Sequence, residues 1–154
     1  MIQFYNATPD LIENIVTNVK VIGGVGTGKT TFLKDLALKL SNVMVLDLGG
    51  EYTHFSKETN KQVKVVSLSL YESNKVEKPK LIQEIIESAK RYDYVIIDET
   101  VILYKEGIND FYHFLYFLDE MRKSNTKIIA SFMEIPPFEI DMKFPQFISV
   151  SKGR

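Results

Sequence analysis

"VKVIGGVGTGKTTFLKDLALKL", residues 19–40, is the stretch from which the fold class is read. Residues 19–22 make a short apolar strand, and glycines occupy positions 23, 24, 26 and 28 of the turn that follows. In residues 29–40, Phe32, Leu33, Leu36, Ala37 and Leu40 recur at the three- and four-residue spacing of one helix face. A strand that turns through glycines into a helix gathers backbone N–H groups at one point, which is a cradle for phosphate. The turn "GGVGTGKT" (23–30) satisfies G-x-x-x-x-G-K-[ST] throughout, in the strand-then-helix setting that the motif requires. In this reading Gly23, Gly24, Val25, Gly26, Thr27, Gly28, Lys29, Thr30 and Thr31 surround the phosphates. Lys29 reaches the β- and γ-phosphates, and the Thr30 hydroxyl ligates Mg²⁺.

Working outward, the chain alternates strands and helices. Thr8-Pro9-Asp10 has the form of a helix start, predicting a helix to about Asn18. "VMVLDL" (43–48) is continuously apolar, as a strand covered on both faces should be. Further strands are expected at 63–70, 94–98, 127–132 and 147–151, with helices over 80–92 and 108–123. The latter helix is apolar nearly all round, with Phe111, Phe114, Leu115, Leu118 and Met121 on one face and Tyr112, Tyr116 and Phe117 off it. It is either buried between layers or meets another subunit. Pro136, Pro137 and Pro145 interrupt residues 134–147, which are read as a stiff loop without regular helix. The alternation predicts one α/β domain over residues 1–154, a three-layer α/β/α sandwich on a mostly parallel sheet.

A phosphate loop needs a carboxylate on a neighbouring strand. "YVIIDET" (94–100) supplies Asp98 at a strand end as the metal carboxylate. Glu99 follows as a second carboxylate that can polarise the attacking water. The guanine-reading pattern N-K-x-D finds only Asn74-Lys75-Val76-Glu77, which lacks the Asp, so the nucleotide is read as ATP with Mg²⁺. Small-molecule kinases with this loop carry an arginine-rich lid. Here there are three arginines in all, Arg91, Arg122 and Arg154, and no such lid, so an ATPase is read first and a small-molecule kinase is the second enzyme reading.

With two strands between the phosphate-loop strand and the Asp-Glu strand, the chain resembles the additional-strand P-loop ATPases, the RecA-like division that includes AAA+ proteins and hexameric translocases. That resemblance implies that "KIIASF" (127–132) inserts beside the phosphate-loop strand and presents Ser131 as a sensor; a satisfied buried serine is the alternative. "VLDLGGEYTHF" (45–55) resembles the D-x-x-G-E-Y segment of the HerA/FtsK group, matched by Asp47, Gly50, Glu51 and Tyr52. A plain glycine turn is the other reading. "EMRKSNTKIIASF" resembles that group's Arg-Lys turn, matched at Arg122 and Lys123, although Ser131-Phe132 stands where the group has Thr-Gln. The likeness extends from about Val19 to Arg154 and covers only the ATPase core, as in minimal archaeal viral or mobile-element ATPases. It implies a ring-forming homo-oligomer that pumps double-stranded DNA. It also implies an arginine given to the neighbouring subunit's site, with Arg122 first and Arg154 second.

Composition bounds these readings. The chain has 154 residues, 45% hydrophobic and 25% charged, as a soluble globular protein does. No apolar run approaches the ~20 residues that span a bilayer. The N-terminal stretch has no secretory pattern, so a cytoplasmic protein is expected. There is no cysteine, which excludes disulfides and thiolate metal sites, and the two histidines, His54 and His113, have no metal-ligand spacing. Net charge is −1, so the chain as a whole has no nucleic-acid signature. Residues 57–91, with eight basic against five acidic groups, are the one locally basic stretch. The weak basic charge keeps open a second class of function, an ATP-binding switch or adaptor with slow turnover.

Overall fold

The computed structural model describes residues 2–3, 9–53, 55, 63–67, 78–105 and 107–150. Seven strands, β1 (Ile2–Gln3), β2 (Val19–Ile22), β3 (Val43–Asp47), β4 (Lys64–Ser67), β5 (Tyr94–Asp98), β6 (Lys127–Phe132) and β7 (Gln146–Ser149), form one sheet in the order β1-β7-β2-β6-β5-β3-β4. Every described pairing is parallel. The helices are α1 (Pro9–Glu13), α2 (Lys29–Lys39), α3 (Lys78–Ala89), α4 (Ile108–Lys123) and α5 (Phe138–Asp141), with a 3₁₀ turn over Thr100–Leu103. No described helix is long and apolar enough to cross a membrane.

Two cores lie on opposite faces of the sheet, which makes three layers. Alternate residues of one strand serve them in turn: Val43 and Val45 pack under α1 and α2 with Leu33, Leu36 and Ala37, while Met44 and Leu46 pack under α3 and α4 with Ile86, Phe114 and Leu118. All five residues of β3 are buried. This is why the strand reads as an unbroken apolar run; each fully buried aliphatic side chain contributes ~1.5–3 kcal/mol.

β6 runs between β2 and β5, the additional-strand arrangement. Because the strands are parallel, their carboxyl ends share one edge of the sheet, where ligands of such folds bind. Register sets the levels at that edge. Asp47 pairs with Asp98, and Ser131 pairs with Val21 just before the glycine-rich turn.

The structure corrects several local expectations. α1 ends at Glu13 instead of Asn18. The β-branched run Ile15-Val16-Thr17 is a poor helix former, and the Gln146 side-chain oxygen accepts the N–H groups of Val16 and Thr17 instead. Residues 134–147 do contain one helical turn, α5, entered from Pro137 at a position that tolerates proline. Ile140 and Phe144 there are fully buried while Phe138 is exposed. Phe117, expected off the inner face of α4, is buried; Tyr112 and Tyr116 are exposed. Strand β1 was not expected. Thr8, His54, residues 68–70, Ser151, Arg154 and much of the basic stretch lie outside the described residues.

Candidate nucleotide site

The turn after β2 is anchored on both sides. Gly23 donates its N–H to the Phe132 carbonyl, and Val150 donates to the Ile22 carbonyl. Gly26 and Gly28 take φ of 75° and 95°, left-handed values that glycine adopts without a Cβ clash. Gly28 therefore reverses the chain directly into α2, and Lys29 and Thr30 occupy its first turn. The Lys29 ammonium donates to the carbonyls of Gly23 and Gly24. Partial burial pulls its pKa below the ordinary lysine value, against the opposing pull of Asp98 and Glu99.

Asp98 is buried, and its carboxylate accepts from four groups. Oδ2 receives Thr30 Oγ1 at 2.7 Å and the Tyr52 hydroxyl at 3.1 Å. Oδ1 receives Ser131 Oγ at 2.7 Å and the Glu99 N–H at 3.0 Å. That N–H is shared with Ser131 Oγ, also at 3.0 Å. A buried carboxylate satisfied this fully stays fixed in one orientation. Ser131 is thus a direct hydrogen-bond partner of Asp98, contributed by the inserted strand.

Glu99 has φ 57° and ψ 46°, the left-handed region, and its side chain is exposed at the cleft. Its pKa is raised above the ordinary glutamate value by partial withdrawal from water, then by Asp98, Glu51 and Asp47, with Lys29 opposing. Raised basicity suits a group that must accept a proton near neutral pH.

A cleft of about 400 Å³ joins these parts, lined by the loop from Val25 to Thr30, by Asp98, Glu99, Thr100 and Val101, and by Ser131, Phe132 and Met133. A magnesium site of this kind needs one or two carboxylates and takes its remaining ligands from phosphate and water. Thr30 and Asp98, held 2.7 Å apart, fit that requirement. Among the described residues no cluster of three or more acidic, His or Cys side chains offers a denser metal cage.

The turn after β3 enters the site as well. Asp47 accepts the N–H groups of Gly50, Glu51 and Tyr52 at 2.9–3.1 Å, and this folds the chain back so that Tyr52 is buried with its hydroxyl on Asp98. Burial and the surrounding carboxylates push the Tyr52 pKa up, so the phenol keeps its proton and acts as a donor. Nothing in the residues around Tyr52 by themselves gives it a role; the Asp-x-x-Gly-Glu-Tyr spacing is its only signal in the sequence. Arg122, by contrast, is not brought to this cleft. It is exposed at the end of α4 and lines a separate cleft of about 610 Å³ with Asn18, Asp119, Lys127 and Lys143. That cleft lies at the amino ends of β2 and β6.

Comparison with solved structures agrees with this geometry. Domain III of the Thermotoga maritima replication initiation protein DnaA superposes with a TM-score of 0.59 at 16% identity, over 92% of this chain and 58% of that one. C. elegans PCH-2 gives 0.57 at 22% identity, over 93% of this chain and 37% of that one. B204, the DNA-packaging ATPase from Sulfolobus Turreted Icosahedral Virus, gives 0.56 at 23% identity, over 79% of this chain and 68% of that one. The fold is that of the P-loop NTPases. The chain spans less than two thirds of the DnaA domain and well under half of PCH-2. By sequence, no family model and no curated protein matches it.

Proposed function

We propose that this P-loop NTPase binds and hydrolyses ATP with Mg²⁺, and that a ring of identical chains couples hydrolysis to movement of double-stranded DNA, as in HerA/FtsK-like motors. The observation that carries the reading is the meeting of Lys29 and Thr30 with Asp98 and Glu99 across the inserted strand that bears Ser131. The likeness to B204, a DNA-packaging ATPase at similar scale, supports the DNA-motor part.

In this reading Thr30 and Asp98 hold Mg²⁺, which neutralises phosphate charge. Lys29 leaves the Gly23 and Gly24 carbonyls for the β- and γ-phosphates of ATP. The Glu99 carboxylate takes a proton from the water that attacks the γ-phosphorus, and the bond to the β-phosphate oxygen breaks to leave ADP and phosphate. The loop N–H groups and Lys29 stay on the departing charge.

Among the described residues, Lys29 is the one cation lining the cleft. The motor reading supplies the second cation from a neighbouring chain, with Arg122 the candidate because its own cleft is at the other sheet edge, and Arg154 second. The same observation favours the alternative, an ATP-bound switch with slow turnover. Lys29→Ala should abolish hydrolysis and strongly weaken ATP binding. Mixing Lys29→Ala protein with Arg122→Ala protein should restore part of the activity, and double-stranded DNA should stimulate the wild type. Turnover per chain that is constant on dilution, with no rescue on mixing and no DNA response, would rule out the motor and leave the switch.

A further inference from the structure

We propose that the turn of residues 48–52, capped by Asp47, is the positioning element for both carboxylates of the site: Tyr52 fixes Asp98, and Gly49 leaves the space in which Glu99 sits. This rests on the NTPase reading above and adds to it a role for the turn.

Asp47 and Asp98 stand side by side on adjacent strands, yet their carboxylates do different work. Asp47 is spent on the backbone of its own turn, accepting three N–H groups. The Thr53 hydroxyl closes the turn on the Gly50 carbonyl at 2.9 Å. The turn is therefore a rigid unit bolted to the end of β3.

From it two contacts reach the site. The Tyr52 ring is wedged edge-on against Phe55, with centroids 5.8 Å apart, and the Lys34 ammonium lies 5.3 Å from its centroid. This packing would be served equally by phenylalanine. The hydroxyl is what phenylalanine lacks, and it is aimed at the same Asp98 oxygen that accepts from Thr30. A donor on that oxygen orients the carboxylate for the metal, in the way that outer hydrogen bonds orient metal ligands. At Gly49 a Cβ would stand 2.8 Å from Glu99 Oε2 and 3.1 Å from its Cδ. Glycine at 49 thus sets where the Glu99 carboxylate rests, and the group that a methyl would displace is the free end of a flexible side chain. The fold would tolerate the change while the carboxylate moves.

The two contacts predict two separable defects. Binding of Mn²⁺ with a non-hydrolysable ATP analogue, followed by electron paramagnetic resonance, reads the first without needing turnover. Tyr52→Phe should keep its unfolding temperature within a few degrees and its analogue affinity in EDTA. Its Mn²⁺ affinity in the nucleotide complex should fall about tenfold. Gly49→Ala should bind Mn²⁺ and nucleotide as the wild type does. Its kcat should fall on the order of 10²-fold at constant KM, because a displaced base costs about that much. Unchanged Mn²⁺ affinity in Tyr52→Phe would make Tyr52 a core residue only. Wild-type kcat in Gly49→Ala would remove Gly49 from the seating of Glu99. Failure of the wild type itself to bind Mn²⁺ with the analogue would overturn the NTPase reading and this inference with it.

Discussion

Glu99 combines the charge that the proposed chemistry needs with a backbone that its side chain does not favour, and the two costs can be separated by substitution. Among the described residues, the other non-glycine positions with positive φ are Asn42 and Asn125, and asparagine tolerates this region. A residue with a Cβ pays about 1–2 kcal/mol in the left-handed region, and glycine avoids that cost. Glycine in turn loses roughly 0.4–1 kcal/mol through the greater freedom of its unfolded chain. Glu99→Gly should therefore be more stable than Glu99→Ala by about 0.5–1 kcal/mol. For a chain of this size that is an unfolding temperature higher by about 1–4 °C.

Glu99→Gln keeps the backbone cost and removes the charge. A carboxylate whose folded pKa is raised favours folding at low pH and loses that contribution as pH rises through the folded value. The glutamine variant should thus be more stable than the wild type at neutral pH, with the advantage vanishing below the ordinary glutamate value of 4.5. Differential scanning calorimetry across pH reads both effects. All three variants should bind the Mg²⁺–nucleotide complex without hydrolysing it. An alanine variant as stable as the glycine one would refute the strain argument. A glutamine variant no more stable than the wild type at pH 7 would refute the charge argument.

Two further outcomes follow from the hydrogen bonds and charges of the site. Ser131→Ala removes a donor from Asp98 and an acceptor from the Glu99 N–H, so turnover should fall about 10–100-fold with a raised Mg²⁺ requirement; an unchanged metal titration would leave Ser131 without a role. Glu51→Gln removes one of the charges that raise the Glu99 pKa, so the acid limb of the kcat–pH profile should move to lower pH, and a limb that stays in place would mean that another group sets it.

The phosphate loop was legible in the sequence because every part of it is local. Its signature in residues 19–40 needs only their own strand, glycines and helix spacing, although Phe132 and Val150 anchor the folded turn from both sides. The Asp-Glu pair was legible for a similar reason, since an apolar run ending in acids reads as a strand end whatever surrounds it. The position of β6 between β2 and β5 was expected only through a family resemblance. Nothing in "KIIASF" by itself says which strands it separates. The end of α1 escapes a local reading because a distant partner decides it: Gln146 holds Val16 and Thr17 across 130 and 129 residues.

Sequence by itself thus determined the parts: a phosphate cradle, a strand-end carboxylate pair, and an alternation that calls for a parallel sheet. Tertiary structure decided which parts meet. Tyr52 and Asp98 are 46 residues apart and become partners only because β3 and β5 pair in register and Asp47 folds the following turn inward. Ser131 meets Asp98 only through the order of strands, and Arg122 is carried to the opposite edge by the length of α4. The physical reason is that turn geometry and helix periodicity are set by neighbouring residues. Strand order and register are set by packing two apolar faces at once, and no local stretch contains that information.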